Sequence, residues 1–367
     1  MSFLKMIPYK SDNFSIIEKE NVSVTTLNDT NRFVICEDHA AWDDFVNSSC
    51  DATIFHSAWW YKAWGYDPIV LVLYDDIGNI NAGLCYAVGN RFGTRAMIRP
   101  PITPRSGPIF LSCNVKGRFA DNSYRKKMMH IALHSLPKLG LYDFLLRPCD
   151  VDVMPFLWNG FDTSIGYSYV IPKEETGIWT DNISKSARQG LRRALKELDS
   201  GKISIEIDPL IEDMLPLVRD TEEIDGFSVE KREGQIATWW KVVRAQNAGI
   251  AFLIRDSDNR PMAADMLVFD AHTAYSVLGG IRRDLRKGSL VSLVLLNSMI
   301  AEAHQRGLNF DFEGSALPGV EMFMRKFNGE LHAIYRVMKI VNPFTFAAWH
   351  AYRYWTGHRV RKWIWND

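Results

Sequence analysis

Four short phrases of this chain occur twice, in the same order. Trp59-Trp60 returns as Trp239-Trp240, Gly140-Leu-Tyr-Asp-Phe144 as Gly307-Leu-Asn-Phe-Asp-Phe312, and Phe156-Leu-Trp-Asn-Gly160 as Phe323-Met-Arg-Lys-Phe-Asn-Gly329, while Tyr169 is matched by Tyr335. The last three matches lie roughly 167 positions apart, a domain-sized period rather than the short repeat of a solenoid. The constraint is severe: whatever fold the first half adopts, the second half adopts as well.

The local patterns give that fold an α/β (α+β) character. Phe33–Glu37, Ile69–Tyr74 and Asn81–Val88 read as strands, the last two joined by the hairpin turn Asp75-Asp-Ile-Gly78. Ala40–Val46, Phe55–Trp64 and Arg118–Leu139 read as helices, followed by a strand over Tyr142–Leu146, a short helix over Val151–Trp158 and a strand over Thr163–Ile171. The second half repeats the order, with helices at Glu233–Gln246, Gly288–Arg306 and Pro318–Phe327 and strands at Ile250–Arg255, Met262–Phe269, Ala274–Gly279, Leu308–Phe312 and His332–Ile340. The expected division is a lead-in over 1–31, a first domain over 32–175, a second over 176–340 and a tail over 341–367.

The segment ending the second copy differs from its counterpart in a chemically informative way. Leu308, Phe310 and Phe312 alternate with Asn309, Asp311 and Glu313, and Gly314-Ser315 then breaks the strand before a helix that Pro318 can open. Two carboxylates thus stand at the C-terminal end of a strand, where open α/β sheets tend to bind ligands. In the first copy Asp143 stands near the place of Asp311, but Leu145-Leu146 replaces the Glu-Gly turn. The paired-acid ending belongs to the second copy alone. The first copy is therefore expected to shape a cleft rather than carry the chemistry.

Composition narrows the class. The 367 residues are 47% apolar, 23% charged and 12% aromatic, with 12 Trp and no net charge, so no global basic field advertises nucleic acid. Five dispersed cysteines, Cys36, Cys50, Cys85, Cys113 and Cys149, form no C-x-x-C pair or metal-ligand cluster, and read as free thiols in a reducing compartment. The N-terminus is too polar for a signal peptide and the apolar run Leu290–Ala301 too short to span a bilayer. A cytoplasmic, metal-free protein is expected. Between the halves, Ser184 can cap a helix whose Ala187, Leu191, Ala194, Leu195 and Leu198 form one face and Lys185, Arg188, Arg192 and Lys196 another. That basic face reads either as a solvated surface or as a site for a polyanion. The tail sets Trp349, Tyr352, Val360, Trp363 and Ile364 beside Arg359, Arg361 and Lys362, suited to packing on the body or to peripheral membrane contact.

Together, Trp42-Asp-Asp-Phe-Val46, Thr53-Ile-Phe-His-Ser-Ala-Trp59, Ile183-Ser-Lys-Ser-Ala-Arg188 and Asp311-Phe-Glu-Gly-Ser315 with Phe323-Met-Arg-Lys-Phe327 resemble, over residues 40–340, the tandem GNAT-fold acyltransferases. These include the Fem-type peptidoglycan aminoacyltransferases and the FemAB-like acetyltransferases. The resemblance implies two tandem GNAT-like domains with mixed central sheets and transfer of an acyl group, from acyl-CoA such as acetyl-CoA, to the amine of a small molecule or a cell-envelope precursor. Such chemistry needs a base, an oxyanion stabiliser and an acid. Glu313 is the candidate base, Asp311 its neighbour and support, and Tyr335 the candidate acid. Arg325 and Asp265 are candidates for substrate binding. GNAT enzymes hold the donor pyrophosphate on a glycine-rich loop opening a helix; the equivalent stretch offers Arg282, Arg283, Arg286, Lys287, Gly288 and Ser289, without the full glycine spacing. Many relatives carry a lysine in the last helix, where Met324 stands here, so that lysine's role does not carry over. Transfer from aminoacyl-tRNA and a catalytically silent tandem scaffold are the competing readings.

Overall fold

The structure is a computed structural model and describes residues 32–111, 117–147, 152–173, 179–221, 230–285, 290–315 and 318–351. Its first half runs β1 (Val34–Ile35), α1 (His39–Ser48), α2 (Ala58–Ala63), β2 (Ile69–Tyr74), β3 (Ile80–Arg91), β4 (Thr94–Ile98), β5 (Ile109–Phe110), α3 (Arg118–His134), β6 (Leu141–Leu145), α4 (Met154–Trp158) and β7 (Asp162–Ile171). Two helices, α5 (Trp179–Asn182) and α6 (Lys185–Asp199), lead into the second half. That half runs β8 (Ile203–Ile207), α7 (Ile211–Thr221), α8 (Glu233–Ala245), β9 (Gly249–Asp256), β10 (Pro261–Phe269), β11 (Thr273–Ile281), α9 (Val291–Gln305), β12 (Asn309–Asp311), α10 (Pro318–Arg325) and β13 (Glu330–Ile340).

Local chemistry sets many of these boundaries. Asp38 caps α1 by accepting from the amides of Ala40 and Ala41 at 3.1 and 3.0 Å, and Ser184 caps α6 through Ala187 N–H at 3.2 Å. The β2–β3 turn closes on Asp75, whose Oδ1 accepts from Ile77 and Asn79. On α6 the expected apolar face is buried at Ala187, Leu191 and Ala194, while Lys185, Arg192 and Lys196 are exposed.

The repeated order of elements is present in both halves, but their strands join one sheet. Its order is β1-β2-β3-β4-β6-β13-β7-β12-β11-β10-β9-β8, with β5 paired to β3. Each half gives its last strand to the other. β7 lies antiparallel to β12, with Asp311 opposite Val170; β13 lies antiparallel to β6, with Arg336 opposite Leu145. β7 and β13 also pair with each other along most of their length. In each half one parallel pair is linked by a long helix: β4 and β6 through α3, β11 and β12 through α9. A crossover of that length is what a parallel pair requires.

Three apolar clusters hold the layers. One joins α1, α2, α7 and α8 across one face of both halves, a second lies under α6 and α9, and a third lies under α3. The duplicated tryptophans meet in the first: Trp60 sits edge-on to Trp239 at 5.5 Å, and Trp64 stacks on Trp239 at 5.1 Å. The repeat seen in the sequence is therefore also a contact. Residues 343–351 are helical and bury Trp349 near Arg91 and Arg336, which lie 5.8 and 5.3 Å from its ring. Tyr352, Arg359, Val360, Arg361, Lys362, Trp363 and Ile364 of the tail lie outside the described residues.

Candidate active site

β11 and β12 run side by side only from Thr273–Tyr275 to Asn309–Asp311. β11 then continues to Ile281 beside β10, without β12. It is bent by a bulge: Leu267 of β10 faces Ser276 and Met266 faces Leu278, leaving Val277 as an extra residue. β12 ends sooner than the alternation of Leu308–Phe312 suggests. The reason lies at Glu313 and Gly314, both in the left-handed region with φ of 61° and 69°. A side chain at Gly314 would place its Cβ 2.1 Å from the carbonyl oxygen of Tyr167, so only glycine fits there. This turn swings Glu313 out of the strand and back toward Asp311.

The two carboxylates meet on an arginine from the other half. Arg105 is 1% exposed. Its Nη2 donates to Asp311 Oδ2 at 2.9 Å, and its Nη1 donates to Glu313 Oε2 at 3.2 Å and to the carbonyl of Pro104 at 2.7 Å. Asp311 Oδ1 also accepts from the Glu313 amide at 2.8 Å and from the Ser168 hydroxyl, which fixes the Asp311 carboxylate from all sides. Glu313 is held by one oxygen only. Its Oε1 is buried and, among the described residues, has no hydrogen-bond partner. Burial raises the Glu313 carboxyl to about 8; the Arg105 cation opposes the rise and the Asp311 charge adds to it. Burial also works against the Arg105 cation, but Glu313 and Asp311 outweigh it and keep Arg105 charged.

Beside this triad a cleft of about 250 Å³ opens between the halves, lined by Thr53, Arg105 and Arg147 from the first and by Tyr275, Asp311 and His332 from the second. Asp270 braces it. Its Oδ1 accepts from the amides of His272 and Thr273, and its Oδ2 from the Tyr275 hydroxyl at 2.9 Å and the Ile54 amide at 3.3 Å.

The pseudo-equivalent acid, Asp143, is buried and locked. Arg336 donates to both its oxygens, at 2.8 and 2.7 Å, with Arg91 and Arg99 at 3.9 and 4.0 Å. Burial would raise its pKa, but Arg336, Arg99 and Arg91 together lower it, so Asp143 stays ionised.

The remaining sequence candidates fall elsewhere. Tyr335 packs against the first-half core cluster, and no hydrogen bond joins it to Asp311 or Glu313 among the described residues. Arg325 is exposed and pairs with Glu321 at 3.4 Å. Arg282 is bound to Asp284 at 2.8 Å and Asp256 at 3.5 Å, and Arg283 to Asp220 at 3.1 Å, so both already face carboxylates. Arg286, Lys287, Gly288 and Ser289 lie outside the described residues. Asp265 sits on β10 opposite Gly279, in the stretch of β11 that runs past the end of β12: its Oδ2 accepts from Ser276 at 2.9 Å, its Oδ1 is buried without a partner among the described residues, and burial raises it to about 7. Gly279 leaves room for it, since a Cβ there would lie 2.5 Å from Asp265 Oδ2. Sequence reasoning missed Arg105. It lies in the proline-rich loop over 100–108, and its partners stand 206 and 208 positions further on.

The family model described as an acetyltransferase (GNAT) domain matches residues 185–322. Among solved structures the chain is similar to FemX, at 12% identity over 81% of this chain and 95% of that one, with a TM-score of 0.52. It is also similar to a conserved protein of unknown function from Bacteroides thetaiotaomicron, at 8% identity over 84% and 100%, with a TM-score of 0.51. A more distant likeness, at 10% identity over 85% and 99% and a TM-score of 0.46, is to a tandem GNAT protein from the clavulanic acid biosynthesis pathway. No curated protein sequence matches the chain. The second half thus matches a GNAT acetyltransferase domain, and the chain as a whole shares its fold with FemX.

Proposed function

We propose that the protein transfers an acyl group from acyl-CoA to the amine of a small molecule or cell-envelope precursor, with Glu313 as the general base. One observation carries this reading: the free, buried Oε1 of Glu313, on a carboxyl raised to about 8, stands where β12 parts from β11 in the GNAT domain. A carboxylate tied down at both oxygens holds structure; one with an idle buried oxygen can take a proton. In the proposed step the amine nitrogen attacks the thioester carbonyl and a new C–N bond forms. Glu313 Oε1 receives the proton that the nitrogen sheds. The C–S bond then breaks, the thiolate leaves, and a proton returns to it to give the free thiol. Arg105 and Asp311 are positioning residues: they hold the second oxygen and the backbone of Glu313, respectively. The amine would approach through the cleft between the halves, which supplies Arg147 and His332 as polar contacts.

The exposed basic face of α6, with Lys185, Arg192 and Lys196, keeps a second reading in view, in which the acyl donor is an aminoacyl-tRNA. Thermal denaturation separates the two, since a ligand of the native state raises Tm. Acetyl-CoA is expected to raise Tm and charged tRNA to leave it unchanged. No shift with acetyl-CoA or longer acyl-CoAs, together with a shift on charged tRNA, would reverse the assignment of donor.

A further inference from the structure

The locked acid of the first half stands under more positive charge than it balances. Three guanidiniums converge on one oxygen, Asp143 Oδ2: Arg336 Nη2 at 2.7 Å, Arg91 Nη1 at 3.9 Å and Arg99 Nη2 at 4.0 Å. Only the first distance is a hydrogen bond. Arg336 meets the carboxylate fork to fork and cancels its charge. Among the described residues neither Arg91 nor Arg99 pairs with another carboxylate, so two positive charges are left over. Acyl transfer at Glu313 does not draw on this cluster, because β13 and β7 stand between Asp143 on β6 and Asp311 on β12.

The surroundings hold these two cations in place without neutralising them. Arg91 ends β3 and lies 5.3 Å from the Phe92 ring and 5.8 Å from the Trp349 ring. Arg99 directly follows β4 and donates from Nη1 to the carbonyl of Thr103 at 3.1 Å. Both remain open to solvent, with side chains 40% and 24% exposed. Asp162 shares this face of the sheet, two strands from Asp143 across Met338. It is exposed, and among the described residues it forms no ion pair with either arginine. Burial lowers the Arg99 pKa; Asp143 opposes the fall, and the charges of Arg336 and Arg91 add to it. An added anion would relieve that repulsion.

We propose that Arg91 and Arg99 bind a phosphoryl dianion, beside the fixed pair of Arg336 and Asp143. Two surplus positive charges match two negative ones. A carboxylate or a phosphodiester carries one charge and would leave a guanidinium unneutralised. A phosphoryl group carries close to two near neutral pH and has three oxygens suited to arginine forks. One oxygen takes the hydrogens of Arg91, a second those of Arg99 Nη2, and the rest of the ligand points to solvent. Convergence on a single Asp143 oxygen keeps the two arginines within reach of one anion. Free phosphate and the end of a phosphate monoester share this chemistry.

Binding can be read without turnover, so its outcome is separate from that of the proposed reaction. Inorganic phosphate, methyl phosphate and acetate are titrated calorimetrically into the full chain at low ionic strength and about pH 8. Both phosphates should bind saturably and raise Tm, whereas acetate should do neither. Tighter methyl phosphate identifies a monoester as the source, and tighter inorganic phosphate the free ion. At about pH 5 a phosphate monoester keeps one charge while Asp143, its pKa lowered, stays ionised, so affinity for methyl phosphate should fall severalfold. Arg91→Gln, a partly exposed change, and Arg99→Gln should each weaken phosphate at least about tenfold. Glu313→Gln should leave its affinity unchanged. The proposal is overturned if neither phosphate binds, if acetate binds as tightly as phosphate, or if folded Arg91→Gln and Arg99→Gln both keep the affinity of the parent protein.

Discussion

Glu313 is the residue on which the proposed chemistry turns, and its ionisation makes measurable claims. Because the carboxyl must lose its proton to act as a base, kcat/KM for the amine should rise with pH through about 8. In Glu313→Gln that limb should disappear and kcat fall by about 10²–10⁴-fold, with acetyl-CoA still raising Tm. Asp311 raises the Glu313 pKa and Arg105 lowers it, so Asp311→Asn should move the limb to lower pH and Arg105→Met to higher pH. A pH–rate profile of each variant checks both directions. Stability follows the same ionisation. A carboxyl whose pKa rises on folding binds more protons in the native state than in the unfolded one, so stability falls as pH increases between its unfolded and folded values. The native protein should therefore lose stability from roughly pH 4.5 to about 8 through this group, and denaturant midpoints measured across that range should fall less in Glu313→Gln.

At the scale of elements, close contacts between backbones set the shape of the splayed pair. Gly280 of β11 lies against α7, where a Cβ would come within 2.2 Å of the Leu217 carbonyl oxygen. A backbone atom cannot swing aside as a side chain can. Gly280→Ala should cost about 1–3 kcal/mol, seen as a lower denaturant midpoint. Neither α7 nor β8 was expected from the sequence, although Ile203, Ile205 and Ile207 do alternate, and α7 carries Pro216 within it. The short strand β5 and the hairpin partner β4 were missed too. β5 has two residues, and β4 follows a turn at Phe92-Gly93 that carries no strong signal. Elements with long apolar faces were legible, and so was the pairing of Asp311 with Glu313, because both are local in the chain. Arg105 was not. A lone arginine among prolines has no period, and only the folded loop brings it to carboxylates in the other half.

For the whole molecule, the exchange of last strands makes each half incomplete. Residues 33–175 alone would leave β6 and β7 without β13 between them, and residues 176–351 alone would leave β12 without β7. Each piece expressed by itself should aggregate or remain poorly folded, whereas co-expression should yield a soluble heterodimer that restores the far-ultraviolet circular dichroism of the full chain. Recovery of a monomeric, cooperatively unfolding single half would contradict the dependence. The buried charges repeat the exchange. Asp143 of the first half is neutralised by Arg336 of the second, and Asp311 of the second by Arg105 of the first. Each half thus keeps the other's counter-ion, and removing either arginine would strand a buried acid in the opposite half.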